Sequence, residues 1–264
     1  MDQQPMALRF VAAHPAGSLR LRLPNPTADG TAAGAAIALD GCDGLLAALD
    51  GWMTTELDWR WEDEQRPATV GATNNTASAV ATASGWRLEA PWSLLRSNAA
   101  PPAPLASCLR WDDTPALVTL CRLFLDEAEQ AAIEPGGAVV LPDSLRPGWR
   151  GWLHLRGEDP EQGLPVPLEG PIPAHPGSAR SPQPAPSNAG AMRPCQVRLA
   201  LHRPLSASLL AGWQDPGALL AEPAARMAEL WIGPFEAAGA SRLLAHGRLL
   251  PWGHGWAMMI DQLH

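Results

Sequence analysis

The 264 residues carry 19 basic and 27 acidic side chains, a formal net charge of −8, together with 28 Pro and 24 Gly. A chain of this length buries one large core or several small ones without staples, and its acidity repels a phosphate backbone, which argues against nucleic acid as a partner. The four cysteines, Cys42, Cys108, Cys121 and Cys195, are scattered with no CxxC pair, which argues against a zinc knuckle or a disulfide framework.

The N-terminal stretch Met1 to Ala13 lacks the charged-then-apolar order of a signal peptide, and no apolar run approaches the roughly 20 residues that span a bilayer. The expectation is a cytoplasmic protein with no direct membrane insertion, one that meets a membrane only through partner proteins. From Leu8 to Leu23 apolar and polar residues alternate, most clearly in Leu19-Arg20-Leu21-Arg22-Leu23, which predicts half-buried strand. A helix follows around Gly44 to Met53. Leu57, Trp59 and Trp61 alternate with Asp58 and Arg60, predicting an amphipathic strand. Pro67 to Ser84, small and polar, reads as loop before apolar content resumes over Trp86 to Leu95.

Leu117 to Leu125 is apolar and rich in β-formers, a buried strand. Asp126 to Ile133 then reads as a short helix with acids in its first turn, where the helix dipole favours them. Glu134-Pro135-Gly136 stops it. Gly137 to Leu141 and Trp149 to Leu155 read as further strands, the latter with Trp149, Gly151, Leu153 and Leu155 on one side, and Leu164 to Leu168 as a possible last one. Between Glu158 and Pro194 the composition turns to Pro, Gly, Ser and Ala, and Pro171 to Pro186 has almost nothing to bury. A segment with so little to bury does not repay its ordering entropy and reads as a flexible linker.

Order returns at Cys195. Val197, Leu199 and Leu201 alternate with Arg198, Ala200 and His202 as a strand, and Leu205 to Trp213 reads as a helix stopped by Asp215-Pro216-Gly217. Leu219 and Leu220 open another strand and Ala228 to Ile232 form the next. Arg242 to Leu250 pairs with Gly255 to Ile260 across the turn Gly253-His254-Gly255. The two stretches share one order: strand, short helix, acidic-Pro-Gly stop, short strand ended by Pro, and a strand bearing Trp152 or Trp231. Pro135-Gly136 and Pro142 recur 81 residues later as Pro216-Gly217 and Pro223.

In these residues the chain resembles the surface-presentation-of-antigens (SPOA) family, found in flagellar switch proteins and in the cytoplasmic ring, or sorting-platform, protein of type III secretion, variously called SctQ, HrcQ or YscQ. The resemblance is carried by Val197 to Leu201, Leu205 to Leu210, Asp215 to Leu220, Ala228 to Ile232 and Leu244 to Leu249 with Gly247. Leu125 to Ile133, Pro135 to Pro142 and Gly151 to Leu153 resemble a more divergent upstream copy. The final strand departs from the family's usual Val-Arg-Ile ending, reading Ala257-Met258-Met259-Ile260, and Gly137 stands where an acid is common.

The resemblance implies an α+β protein in which an N-terminal α+β domain (1–104) precedes two small, mainly β modules (105–170 and 194–264) joined by a Pro-rich linker (171–193), the modules pairing in an intertwined manner. It implies a non-enzymatic scaffold that binds copies of itself, stalk, ATPase-regulator and adaptor subunits of the secretion machine, and a C-terminal fragment internally initiated near Met192. Pairing suits the physics, because a module of roughly 60–70 residues has only a marginal core. Candidate partner-binding residues are Leu209, Leu210 and Trp213 on the helix, Trp213 being the better exposed, and Leu230, Trp231 and Ile232 on the strand; a core role is the alternative for the leucines and the strand tryptophans, Trp252 and Trp256 included. Pro135, Gly136, Pro216, Gly217 and Gly247 are structural.

Two other readings stand beside this one: a flagellar motor switch component, or an enzyme with its site in residues 1–104. No catalytic constellation supports the enzyme. The seven histidines show no HExxH or i, i+4 pairing, His202 with Ser206 and Ser208 lacks a strained nucleophile turn, and the chain has neither GxGxxG nor any Lys for a phosphate loop. No metal or cofactor is expected. His246 and His254 are the one pair expected to approach across a hairpin.

Overall fold

The computed structural model describes residues 7–24, 31–62, 76–81, 85–146, 149–167, 192–201, 203–216, 227–233 and 241–264. It is a mixed α+β fold whose two sheets are antiparallel throughout. The chain divides into two compact units: Met1–Thr114 with Leu205–Gln214, and Pro115–Pro204 with Asp215–His264. This division differs from the expected one in two ways. Both C-terminal stretches build a single unit, and ten residues of the second stretch belong to the first unit.

In the first unit the alternating segment forms a hairpin, β1 (Ala7–His14) and β2 (Gly17–Pro24), in full register from Ala7 opposite Pro24 to His14 opposite Gly17. Leu19, Leu21 and Leu23 point to the core. With β3 (Trp59–Trp61), β4 (Thr76–Ala81), β5 (Arg87–Pro91) and β6 (Leu109–Trp111) it makes a six-stranded sheet in the order β3-β1-β2-β5-β4-β6. The expected loop over Pro67 to Ser84 is corrected at its C-terminal end. There β4 is a strand of small residues that buries Ala77, Ala79 and Ala81 on alternate positions, so the period of 2 is present without the bulk that usually reveals it. Four helices join these strands: α1 (Ala32–Asp40), capped by the Thr31 hydroxyl accepting from the Gly34 amide at 3.1 Å, α2 (Asp43–Met53), α3 (Trp92–Ser97) and α4 (Ala103–Cys108).

The second unit is one eight-stranded sheet. Its strands are β7 (Ala116–Leu125), β8 (Ala138–Leu141), β9 (Arg150–Leu155), β10 (Leu164–Pro167), β11 (Arg193–Leu199), β12 (Met227–Ile232), β13 (Arg242–Trp252) and β14 (Gly255–Leu263), ordered β10-β9-β7-β11-β12-β13-β14-β8. The helix after β7, α5 (Glu127–Ala131), carries a reciprocal capping box between Asp126 and Glu129. β7 and β11 meet within the sheet, two strands lying beyond β7 and four beyond β11, and outward from them β9-β10 on one side mirror β12-β13 on the other. Trp152 lies opposite Thr119 on the first side and Trp231 opposite Gln196 on the second, so the repeat seen in the sequence becomes an approximate two-fold in the sheet.

β8 breaks from its neighbours in sequence. It leaves β7 and β9 and pairs instead with β14, Ala138 opposite Met259 through Leu141 opposite Trp256. The segment after it returns to β7: the Cys121 thiol lies 3.6 Å from Asp143, and the Trp149 indole donates to the Leu120 carbonyl at 3.0 Å. The sheet therefore curls, its core face lined by Val118, Leu120, Leu153, Val197, Leu199, Leu230, Ala245 and Met258. Pro171 to Pro186, Leu219-Leu220 and Gly217 lie outside the described residues.

Candidate functional site

The six residues expected to bind partners separate into two places. The short helix α6 (Ala207–Leu210) and the turn after it belong to the first unit, stitched in by mutual backbone bonds between Thr114 and Leu205 at 2.9 and 3.0 Å and by Arg96 donating to the Leu210 carbonyl at 3.2 Å. Leu210 is fully buried and Leu209 half-buried. The Trp213 indole meets those of Trp52 and Trp111 edge-on, the three centroids 5.9–6.3 Å apart, and donates to the Asn98 carbonyl at 3.1 Å. The expectation that Trp213 is an exposed anchor is thereby corrected: an indole this large gains most by joining two others.

Leu230 and Ile232 are buried on the core face of β12. Trp231, between them, points to the opposite face. Its ring carries the Arg198 guanidinium 4.9 Å from the centroid, and its N–H donates to Glu229 at 2.8 Å. The glycine markers have clear causes. Gly136 adopts φ +86° and its amide bonds Ile260, tying the helix stop to β14. At Gly247, where the β13–β14 register shifts past Asp261 of β14, a Cβ would lie 2.0 Å from the Met259 carbonyl oxygen. Pro135 lies on the turn after α5, and Pro216 is the last described residue before a stretch outside the described residues.

The face that Trp231 shares is polar and largely shut from solvent. It runs across the join between the two stretches: His154 and Thr119, then Gln196 and Arg198, then Glu229. Thr119, His154, Gln196 and Arg198 are all buried. The His154 Nδ1 donates to the Leu155 carbonyl at 3.0 Å, which leaves Nε2 to accept from the Thr119 hydroxyl at 2.9 Å. Burial holds this imidazole neutral, its pKa lowered to about 4. Arg198 Nε donates to the Gln196 side chain at 2.9 Å, and burial lowers its pKa to about 10, still charged at neutral pH. Beside it, within the upstream stretch, Arg122 pairs with Asp159 and with Glu161.

A cleft of about 340 Å³ opens on this face, lined by His154, Arg156, Glu158, Arg198, Arg203 and Glu229 among others. Sequence reasoning placed Arg198 merely on the outer side of a strand. The missed signal was two polar residues on alternate positions, Gln196 and Arg198, on a strand apolar enough to be central.

The Thr119 hydroxyl that donates to His154 Nε2 is itself buried. Burial pushes the Cys121 thiol up to about 12 and Cys195 up to about 11, away from thiolate reactivity. His246 approaches His264, not His254: the ring nitrogens are 3.0 Å apart, and Glu229 lies 3.4 Å from the other His246 nitrogen. Among the described residues no group of three or more His, Cys, Asp or Glu is placed to hold a metal ion, and no single helix is long and apolar enough to cross a membrane. Compared with protein-family models, curated proteins and solved structures, the chain finds no match in any of the three.

Proposed function

We propose that the chain is a structural scaffold of the cytoplasmic ring, or sorting platform, of a type III protein secretion system, built on paired SPOA-like modules, and that it acts without catalysis. One observation carries the reading: β8 of the upstream stretch lies on β14 of the downstream stretch while β7 lies on β11. Neither stretch has a complete sheet alone, so each is suited to pair with another copy as readily as with its neighbour, and assembly follows from that incompleteness. The recurring Pro-Gly stops and the opposed Trp152 and Trp231 fit two copies of one module. Partners are then further copies of the chain, a fragment starting near Met192, which is exposed, and stalk or ATPase-regulator subunits.

Deleting the chain from its source cell and assaying export of a type III substrate tests the reading. Export is expected to stop, to return with the intact chain, and not to return when Ala138–Leu141 is replaced by Gly and Ser. Unchanged export in the deletion strain contradicts it.

A further inference from the structure

The cleft on the polar face of the second unit is more than a gap beside a salt bridge. Arg198 is 8% exposed and lines it. Its Nε is committed to Gln196 and its plane to Trp231, yet among the described residues its two terminal nitrogens meet no hydrogen-bond acceptor. Those two nitrogens are not sealed in: they face the cleft, where a solute acceptor can take the place of water. The flanking carboxylates are occupied: Glu158 accepts from the Leu155 amide at 2.9 Å, and Glu229 holds the Trp231 indole and faces His246. Beyond the effect of burial, Glu229 favours the charge on Arg198, and Arg156, on the rim, lies near enough to disfavour it.

We propose that this cleft is a carboxylate-binding site, in which Arg198 donates its terminal N–H groups to the carboxylate and Arg156 closes over it from the rim. The fork of a guanidinium matches a carboxylate's two oxygens. Among the described lining residues three guanidiniums, Arg156, Arg198 and Arg203, stand beside two carboxylates, Glu158 and Glu229, with His154 neutral, a balance that suits a monoanion. A phosphate dianion would leave a net negative charge beside the two glutamates. The volume of about 340 Å³ admits a short side chain or a small acid and excludes a large cofactor. The site stands on its own geometry and does not depend on the assembly reading.

The carboxylate comes either from a free small acid or from an acidic side chain of a protein segment, and the test separates them. The full chain, labelled with 15N-arginine, is titrated with sodium propionate and, separately, with an acetylated and amidated Gly-Glu-Gly peptide, sodium chloride serving as the ionic-strength control. The Arg198 Nε–H resonance, assigned by its absence in Arg198→Lys, is expected to move saturably with at least one probe. Saturation by propionate identifies a free acid as sufficient, and saturation by the peptide alone identifies a protein segment. Arg156→Gln, an exposed position that leaves the fold intact, should weaken the binding about fivefold. A shift that is reproduced by chloride, fails to saturate with either probe, or is unaffected by Arg156→Gln overturns the proposal.

Discussion

His154 shows how one buried polar side chain ties stability to pH. Its folded pKa of about 4 lies below the ordinary 6.5, with burial the main cause and the charges of Arg198 and Arg122 adding to it. Between those values the unfolded chain takes up a proton that the folded chain refuses. The stabilisation is therefore complete above about pH 6.5 and drains as pH falls towards 4, amounting to about 2 kcal/mol between pH 7 and pH 5. Urea unfolding at the two pH values should show that loss, and His154→Gln should abolish most of it; an unchanged slope in the variant would mean that the ring is solvated. Gly247 makes a steric prediction. Alanine there drives a methyl into the Met259 carbonyl, so Gly247→Ala should cost roughly 2–4 kcal/mol, whereas Gly51→Ala in α2, where a Cβ meets nothing within 4 Å, should raise stability by about 0.5–1 kcal/mol. Denaturant midpoints of the two variants moving in the same direction would contradict this account of the glycines.

At the level of elements, α6 and its following turn carry the clearest consequence. The indoles of Trp52, Trp111 and Trp213 form one cluster, so Trp213→Ala should destabilise the first unit by about 3 kcal/mol, read as a lowered thermal midpoint with altered tryptophan fluorescence. A docking residue on a free surface would leave the midpoint unmoved and change only association. Strands with large alternating side chains were legible in the sequence: β2, β9, β11, β12 and the hairpin β13-β14 all follow their period of 2. β4 was not, because alanines on alternate positions carry too little hydrophobic contrast against Thr76, Ser78 and Val80. Leu209, Leu210 and Trp213 were legible as apolar and not as to which core they join, since periodicity marks the buried face of an element and says nothing about its neighbour. The cleft was hidden for the same reason. Arg198 on an alternating strand reads as a solvated residue until the Trp231 ring and the Gln196 side chain are seen to hold it.

Across the whole molecule, the repeat was legible and its consequence partly so. Two copies of one pattern predict a two-fold, and β7 against β11 supplies it. That β8 crosses to β14 is not written in Ala138-Val139-Val140-Leu141, a four-residue apolar strand able to extend any open edge. Residues 192–264 alone would lack both β7 and β8, leaving β11 and β14 with unpaired edges. Light scattering should find this fragment as a dimer, and mixing it with the full chain should yield a defined complex; a folded monomer that ignores the full chain would count against assembly by module pairing. The exchange of β8 itself is tested most directly by nuclear Overhauser contacts between backbone protons in the intact, deuterated chain. The account predicts contacts joining Ala138 to Met259 and Val140 to Ala257; contacts joining Ala138–Leu141 to Arg150–Leu155 in their place would contradict it.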